Sequence, residues 1–245
     1  MARPRVHLSN APIVEAIIDF RVLPQEQVNS ETFADLGTSI GQQYTQGAIL
    51  QSIEGRFGIE NGKFVNSMQA PADIGWRYQS DTEIAQFRIN GFTFSKIEPY
   101  TTWEHVFGEA HRLWKVYSEV ADPREVSRIA VRYINRMHLN APADLRDYLE
   151  APPVLPIPIP QAIREFLSRV QVEDLTRGVS AVIVQALEPQ VDQRVVSFLL
   201  DIDAFRDVNL VPDDPTIPAV FQQLRELKND IFFASITEKT VEMYE

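Results

Sequence analysis

The sequence predicts an α+β fold in which helices pack on one face of a mainly antiparallel sheet. Short segments that alternate apolar and polar residues are separated by turn residues, and two long segments carry apolar residues at helical spacing. The order of these elements is similar in the two halves of the chain. We therefore expect two similar βαβββα-like lobes, residues 1–122 and 123–245, either separate or joined into one continuous domain.

The first half begins with a predicted strand over residues 13–22. Alternate positions of this strand are apolar and are expected to face a core. These positions are Val14, Ala16, Ile18, Phe20 and Val22. A helix over 31–45 and an antiparallel meander over 73–97 are expected to follow, with a hairpin between them at Asn61-Gly62, a dipeptide that favours a type I′ turn.

The strongest helical pattern of the first half follows the meander. Its apolar side chains, two tryptophans among them, recur at three- and four-residue intervals and predict a wide buried stripe. Thr101 or Thr102 is expected to cap the start of this helix, and a cap at Thr101 would form a capping box with Glu104. The helix is expected to end before Asp122-Pro123, because a proline disfavours helical geometry in the residue before it.

The second half repeats this order with fewer strands. The predicted elements are a strand over 126–139, a helix over 160–171, strands over 179–187 and 194–205, and a final helix that begins near Pro218. Five of the chain's 16 prolines fall in residues 152–160. Because proline lacks a backbone N–H and stiffens the chain, this segment is interpreted as a connecting arm outside the sheet.

Charge and composition exclude several classes of protein. The chain carries 34 acidic and 23 basic side chains, a formal charge of −11, with the acidic excess spread over both halves. Such a field repels phosphate and makes nucleic acid an unfavourable partner. The absence of cysteine excludes a disulfide scaffold and a thiol enzyme. No apolar run reaches about 18 residues, so we expect a cytoplasmic protein that does not bind membranes.

No sequence motif fixes a reaction. The chain contains no GxGxxG, GxxxxGK[ST] or GxSxG pattern, and its four histidines lack the spacing of metal ligands. We therefore expect no resident cofactor and assign no catalytic residue, and the sequence favours a binding protein over an enzyme.

One set of charged residues is the main candidate for a binding surface. They are Glu15, Asp19 and Arg21 on the first strand and Arg128, Arg132 and Arg136 on the strand over 126–139. Within each strand the residues share one side, opposite the apolar positions. If the strands lie close together, the carboxylates and guanidiniums form cross-strand ion pairs on a solvated sheet face. Alternatively, the arginines bind a small anionic ligand or a partner protein.

A second, weaker candidate is the pair Asp201 and Asp203. Two carboxylates at alternate positions of a strand point the same way and can hold Mg²⁺ with substrate phosphates. With Asp19 or Glu15 nearby, they would suit a metal-dependent phosphoryl- or nucleotidyl-transfer enzyme. The alternative interpretation is an exposed strand end without a metal.

Two further polar segments have either a structural role or a role in ligand binding. Residues 98–104 are interpreted as a strand-to-helix junction, since a proline follows the strand and threonines can cap the helix. Lys228-Asn229-Asp230 lies near the end of the last predicted helix and is interpreted as part of a helix terminus. In both cases a role in ligand binding is the alternative.

Four segments carry a family resemblance. They are NAPIVEAI (residues 10–17), EPYTTWE (98–104), RIAVRYINR (128–136) and KNDIFFAS (228–235). Together they resemble the signatures of a sporadically distributed prokaryotic family to which no function is assigned. The resemblance implies a cytoplasmic bacterial or archaeal protein of about this length, and its patchy distribution fits defence or toxin–antitoxin modules. It brings no catalytic residues.

The sequence thus leads to three functional hypotheses. The first is a binding or interaction protein, with a homodimer as one expected form and a partner protein or small anion as ligand. The second is the metal-dependent transfer enzyme, which would need Mg²⁺. The third is an acidic antitoxin or immunity-like partner of a basic protein.

Overall fold

The computed structural model of the chain describes residues 6, 8–52, 55–60, 63–68, 70–140, 143–188 and 195–245. A nine-stranded antiparallel sheet dominates these residues, and two long helices pack on one of its faces. The predicted α+β class with a mainly antiparallel sheet is confirmed.

Eleven strands are formed by the described residues. They are β1 Ile13–Leu23, β2 Gln46–Ser52, β3 Gly55–Glu60, β4 Lys63–Met68, β5 Ala72–Gln79, β6 Glu83–Arg88, β7 Gly91–Ile97, β8 Glu125–Asn140, β9 Phe166–Asp174, β10 Val179–Leu187 and β11 Val195–Leu210. The α-helices are α1 Gly37–Ile40, α2 Trp103–Ala121, α3 Ile217–Ser235 and α4 Glu238–Glu242, and short 3₁₀ turns occur at Ser30–Phe33 and Leu145–Asp147. Within the described residues no helix combines the length and the apolar character that a membrane crossing would require.

The main sheet runs without interruption through both halves of the chain. Its order is β2-β5-β6-β7-β1-β8-β11-β10-β9, so the two halves meet where β1 pairs antiparallel with β8. The meander predicted over 73–97 is confirmed as β5, β6 and β7. A separate two-stranded ladder joins β3 to β4, and the turn predicted at Asn61-Gly62 between them lies outside the described residues.

The core lies between the sheet and the long helices. The ring of Phe20 on β1 stacks on Trp114 of α2 at 4.0 Å and meets Phe221 of α3 edge-on at 5.1 Å, so both helices cover the same face. Ala16 and Ile18 are also fully buried there, which confirms the alternation predicted for the first strand. Burial of such aromatic side chains contributes about 2–3 kcal/mol each. We call this side of the sheet the helix face and the other side the charged face.

Helix α2 begins one residue later than a capping box would require. Thr102 is the N-cap, and its hydroxyl oxygen accepts from the backbone N–H of His105 at 3.2 Å. The box with Thr101 and Glu104 is therefore not formed, although a threonine cap is. The predicted end is confirmed, because Asp122 adopts a left-handed backbone with φ 41° just before Pro123.

The helix predicted over 31–45 is wrong in length. The structure has a single 3₁₀ turn followed by α1, which stops at Gly41, where φ is 128°. The apolar positions that suggested the helix are nevertheless buried. These are Phe33, Leu36, Ile40 and Tyr44. Burial was therefore predicted correctly, whereas the backbone of Gly41 ends the helix after one turn.

The helix predicted over 160–171 is also wrong. Residues 166–174 form β9, which pairs antiparallel with β10 over nine residues without a register shift. The pairing supplies the backbone hydrogen bonds of one side, and Val170 and Val172 suit an extended backbone. Residues 152–160 form neither helix nor strand, as expected for the proline-rich arm.

Candidate functional site

The six charged residues predicted on the first strand and on the strand over 126–139 all lie on the charged face. The antiparallel pairing places Arg21 opposite Arg128 and Ile17 opposite Arg132. The next strand, β11, adds Asp201 and Asp203 to the same surface, with Asp203 directly opposite Arg132. The two sets of residues that the sequence treated as separate candidates therefore form one surface.

Asp19 is the centre of the charged face on β1. Its carboxylate accepts a hydrogen bond from Arg88 at 2.8 Å and another from the Thr93 hydroxyl at 2.6 Å. Arg128 bridges this carboxylate, at 3.6 Å, to Asp203, at 2.8 Å. Arg88 was not among the predicted residues, because its strand β6 is two strands away from β1 in the sheet.

Arg132 binds Asp201 rather than a residue of β1. The guanidinium donates to both carboxylate oxygens, at 2.8 and 2.6 Å, in a bidentate pair. Hydrogen bonding to Asp201 holds the pKa of Arg132 above its ordinary value, although burial opposes this, and the charges of Asp203 and Glu15 raise it further. Arg136 pairs in a similar way with Glu188 at 3.3 Å.

The charged face is therefore an ion-pair network with few uncommitted groups among the described residues. Arg21 is the most loosely held arginine of this network, since its side chain is 61% exposed and lies 3.9 Å from Asp19. Glu15 acts on Arg132 through its charge. A ligand at Arg128 or Arg132 would have to displace a carboxylate that already makes a short hydrogen bond. A metal ion at Asp201 and Asp203 would have to displace the same two guanidiniums. The described residues contain no group of three His, Asp or Glu side chains placed to hold a metal ion.

A cavity of about 820 Å³ opens on the helix face, between the sheet and α3. We call it the α3 cavity. Its floor includes Tyr133 and Asn135 of β8, and its roof includes Arg225, Lys228 and Asn229 of α3. Residues 8–14, 98–101 and Tyr244 form its walls. All four segments that carry the family resemblance contribute residues to this cavity.

A β-bulge at the start of β1 shapes one wall of the α3 cavity. Ile13 pairs with Asn135 and Glu15 with Ile134, so Val14 is an extra residue without a partner on β8. Bulges bend a strand locally. The carbonyl oxygen of Val14 accepts from the N–H of Glu98 at 3.1 Å, which ties the wall that follows β7 to the bulge.

The polar groups in the α3 cavity centre on Tyr133. Its hydroxyl lies 3.1 Å from the hydroxyl of Tyr100, and the ammonium of Lys228 lies over its ring, 3.8 Å from the centroid. Burial raises the pKa of both tyrosines above the ordinary value. Both hydroxyls therefore stay protonated at neutral pH. Because one of them donates to the other, one hydroxyl proton is left to donate to a ligand.

Arg225 supplies a second cation at the α3 cavity, and the predicted Arg136, which pairs with Glu188, also lines it. Its guanidinium lies over the ring of Trp103 at 5.2 Å, and its nearest carboxylate oxygen, on the exposed Glu104, is 3.8 Å away. Among the described lining residues, Glu98 is the one acidic side chain. The α3 cavity is thus locally cationic in a chain whose net charge is −11.

Sequence reasoning considered several residues of the α3 cavity separately but did not bring them together, because they are dispersed along the chain. Residues 98–104 do form the predicted strand-to-helix junction, yet residues 98–101 also line the cavity. Lys228 and Asn229 lie inside α3 rather than at its terminus, which is at Ser235. The signal available in the sequence was a lysine among the apolar residues of an amphipathic helix. In the structure this lysine, Lys228, is only 9% exposed.

A separate polar cluster lies along the first half of α2. The hydroxyl of Tyr44 donates to Glu109 at 2.9 Å and is 3.1 Å from Glu83. Glu83 also lies 2.8 Å from the Nε2 atom of His105, and Arg112 donates to Glu109 at 2.8 and 2.7 Å. We call these five residues the Tyr44 cluster. Its hydrogen bonds join α2 to β6 and to the segment after α1.

Comparison with known proteins gives no assignment, since no protein-family model and no curated protein matches this chain. The resemblance of the four segments to a sporadically distributed prokaryotic family therefore stays a prediction.

Proposed function

We propose that this protein binds a small organic anion in the α3 cavity. The observation that carries the proposal is the convergence of polar side chains on one lining. The ammonium of Lys228 lies over the ring of Tyr133, and Arg225 and Asn229 lie beside it on α3. Two cations and an amide that converge on a cavity can together hold the anionic group of a ligand.

The size and lining of the α3 cavity indicate the kind of ligand. A volume of about 820 Å³ lies within the range of pockets for small organic molecules. Ile13, Phe232 and Phe233 offer apolar surface, whereas the cations and the tyrosine hydroxyls lie on the same lining. The best fit is therefore a molecule with an apolar or aromatic body and one carboxylate, sulfonate or phosphate group.

Two fluorescent probes that differ by one charge test the proposal. Anilinonaphthalene sulfonate carries a sulfonate on an aromatic body, and N-phenyl-1-naphthylamine is the same body without the charge. We expect the wild-type protein to bind the sulfonate at least about tenfold more tightly, because hydrogen bonds to charged groups contribute about 1.5–3 kcal/mol. Titration of probe fluorescence measures both dissociation constants.

Arg225→Gln and Lys228→Gln should each reduce this preference about tenfold and leave binding of the neutral probe unchanged. Arg21→Gln is the matched control, since this arginine is exposed on the charged face. Far-UV circular dichroism verifies that each variant is folded. Equal affinity of the wild type for both probes, or a preference that persists in both cavity variants, would falsify the proposal.

The other hypotheses from the sequence stay predictions. A role in a defence or toxin–antitoxin module, a cytoplasmic location and the acidic-antitoxin alternative rest on composition and on the family resemblance. The metal-dependent alternative depends on Asp201 and Asp203, whose carboxylates accept hydrogen bonds from arginines.

A further inference from the structure

Much of the exposed apolar surface of the described residues lies in β9 and in the segments on either side of it. Seven of the thirteen exposed large hydrophobic side chains among the described residues lie between residues 154 and 175. Three of them are in β9, where Leu167 is 75% exposed and Val170 is 50% exposed. Within the described residues, β9 is the last strand of its sheet and has a strand partner on one side only.

Sheet edges are normally protected against pairing with another chain. The usual devices are prolines, bulges, short length and charged side chains. β9 is nine residues long, contains no proline and pairs with β10 without a register shift, so it lacks the first three devices. Its charged residues are of both signs, so they can attract a second copy of the strand as well as repel one. Residues 169–173 are exposed on both faces of the sheet. The strand is therefore a regular and accessible template for a further strand.

We propose that the outer edge of β9 pairs antiparallel with β9 of a second copy of this chain. A twofold axis at Gln171 places Arg169 opposite Glu173 of the partner subunit. By symmetry, Glu173 faces Arg169 of the partner subunit. The resulting dimer joins the two main sheets into one continuous sheet. This contact is independent of the proposed ligand, since no residue of β9 lines the α3 cavity.

The side chains are self-complementary in this register. The position of each residue follows from the pairing of β9 with β10: Arg169 and Glu173 lie on the charged face, opposite Val184 and Ser180. The dimer therefore has two opposite-charge pairs on that face. Val170 and Val172 lie on the helix face, and each meets the other valine of the partner subunit. Cross-strand pairs of both kinds stabilise antiparallel sheets.

Neighbouring registers lose this complementarity. A shift by one residue places charged-face side chains opposite helix-face side chains. An axis at Val170 places Leu167 opposite Glu173 of the partner subunit and leaves Arg169 opposite Gln171. An axis at Val172 places Val170 opposite Asp174 of the partner subunit. The sequence of β9 thus selects the axis at Gln171. By contrast β2, at the other end of the sheet, has no charged residue that could select a register.

Charge reversal of the full-length protein tests the proposal by sedimentation equilibrium over about 1–200 µM, a range suited to weak and moderate interfaces. The wild type should be a dimer at the upper end. Arg169→Glu creates two like-charge pairs and should weaken dimerisation about tenfold or more, and Glu173→Arg should do the same. The double variant restores two opposite-charge pairs and should regain wild-type affinity.

A mixture of the two single variants is the sharpest measurement. In the mixed dimer both pairs are again of opposite charge, so the mixture should associate although neither variant does so alone. Ile49→Lys on β2 is the control and should leave the dimer unchanged. The proposal is overturned by a wild type that is monomeric throughout, by single variants that dimerise normally, or by loss of the dimer on changing Ile49.

Discussion

The hydroxyl of Tyr44 is shared between two carboxylates that would otherwise repel each other. It donates to Glu109 and lies within hydrogen-bond distance of Glu83. Burial, reinforced by the charges of both carboxylates, raises the pKa of Tyr44 far above its ordinary value, so the hydroxyl keeps its proton. Arg112 and His105 complete the Tyr44 cluster, and Arg112 supplies a positive charge beside the partly buried carboxylate of Glu109.

Glu109 should make the protein less stable in acid. Burial alone would raise its pKa, but hydrogen bonds from Arg112 and Tyr44 and the charges of Arg112 and His105 lower it below the usual 4.5. A carboxyl group whose pKa is lower in the folded state stabilises the fold above the unfolded pKa. That contribution disappears as the pH falls through the folded value. We expect Glu109→Gln to be less stable than the wild type at about pH 7, and the difference to shrink towards about pH 3.

Urea unfolding at both pH values measures this difference. Glu119→Gln is the control for the loss of one negative charge, since Glu119 is exposed on the same helix. A difference between wild type and Glu109→Gln that is constant, or that grows in acid, would contradict the role assigned to this carboxylate.

Individual partners on the charged face could be predicted only in part. The period-2 pattern correctly placed Asp19 and Arg132 on the same face of the sheet. It could not show that Arg132 pairs with Asp201, because that contact depends on β11 lying next to β8, and strand order is not encoded in local alternation. The α3 cavity as a whole was missed for the same reason, since the residues that line it come from five distant segments.

Glycine governs how closely β1 and β7 can approach. Gly91 has φ 156°, and a Cβ atom there would lie 2.2 Å from the carbonyl oxygen of Phe20. Gly91→Ala must therefore move β7 away from β1, and we expect it to lower the free energy of unfolding by more than about 2 kcal/mol. Gly108→Ala is the matched control, because no heavy atom lies within 4 Å of its Cβ position in α2.

The control should have the opposite sign. An alanine inside an exposed helix turn is more favourable than a glycine by about 0.5–1 kcal/mol, so Gly108→Ala should raise the free energy of unfolding. Urea denaturation of both variants gives the two values. If both substitutions were neutral, the tight contact between β7 and the carbonyl of Phe20 would have no energetic consequence.

Long elements were predicted better than short or edge elements, and β9 shows why. Phe166 and Val170 are four residues apart, a spacing typical of a helix, yet the same segment alternates Ser168, Val170 and Val172 on one side. Most of β9 is exposed, so burial provides no pattern that would separate the two periods. β9 is extended because it pairs with β10. This pairing is a tertiary contact, so the local propensities of residues 166–174 could not predict it.

The two halves of the chain share one core. The larger apolar cluster contains residues of β1 and α2 from the first half and of β8 and α3 from the second. The α3 cavity lies at the same boundary, since β1 and β8 both contribute to it. A ligand in this position would contact both halves, so its binding energy would stabilise their association.

A shared core predicts that the chain unfolds as one cooperative unit rather than as two lobes. All three tryptophans, Trp76, Trp103 and Trp114, precede residue 123. Phe198 is fully buried in the second apolar cluster, to which no tryptophan belongs. We expect Phe198→Leu to reduce the stability by about 1–3 kcal/mol. Because the sheet is continuous, the tryptophan fluorescence transition should shift by the same amount as the far-UV circular dichroism transition.

Phe221→Leu is the companion variant, since Phe221 contacts Phe20 across the boundary between the halves at 5.1 Å. In a cooperative unit both variants shift both signals equally at a fixed protein concentration. Two independent lobes would respond differently. Phe198→Leu would then leave the tryptophan transition at its wild-type midpoint and split the circular dichroism curve into two steps, whereas Phe221→Leu would shift both signals through its direct contact with Phe20.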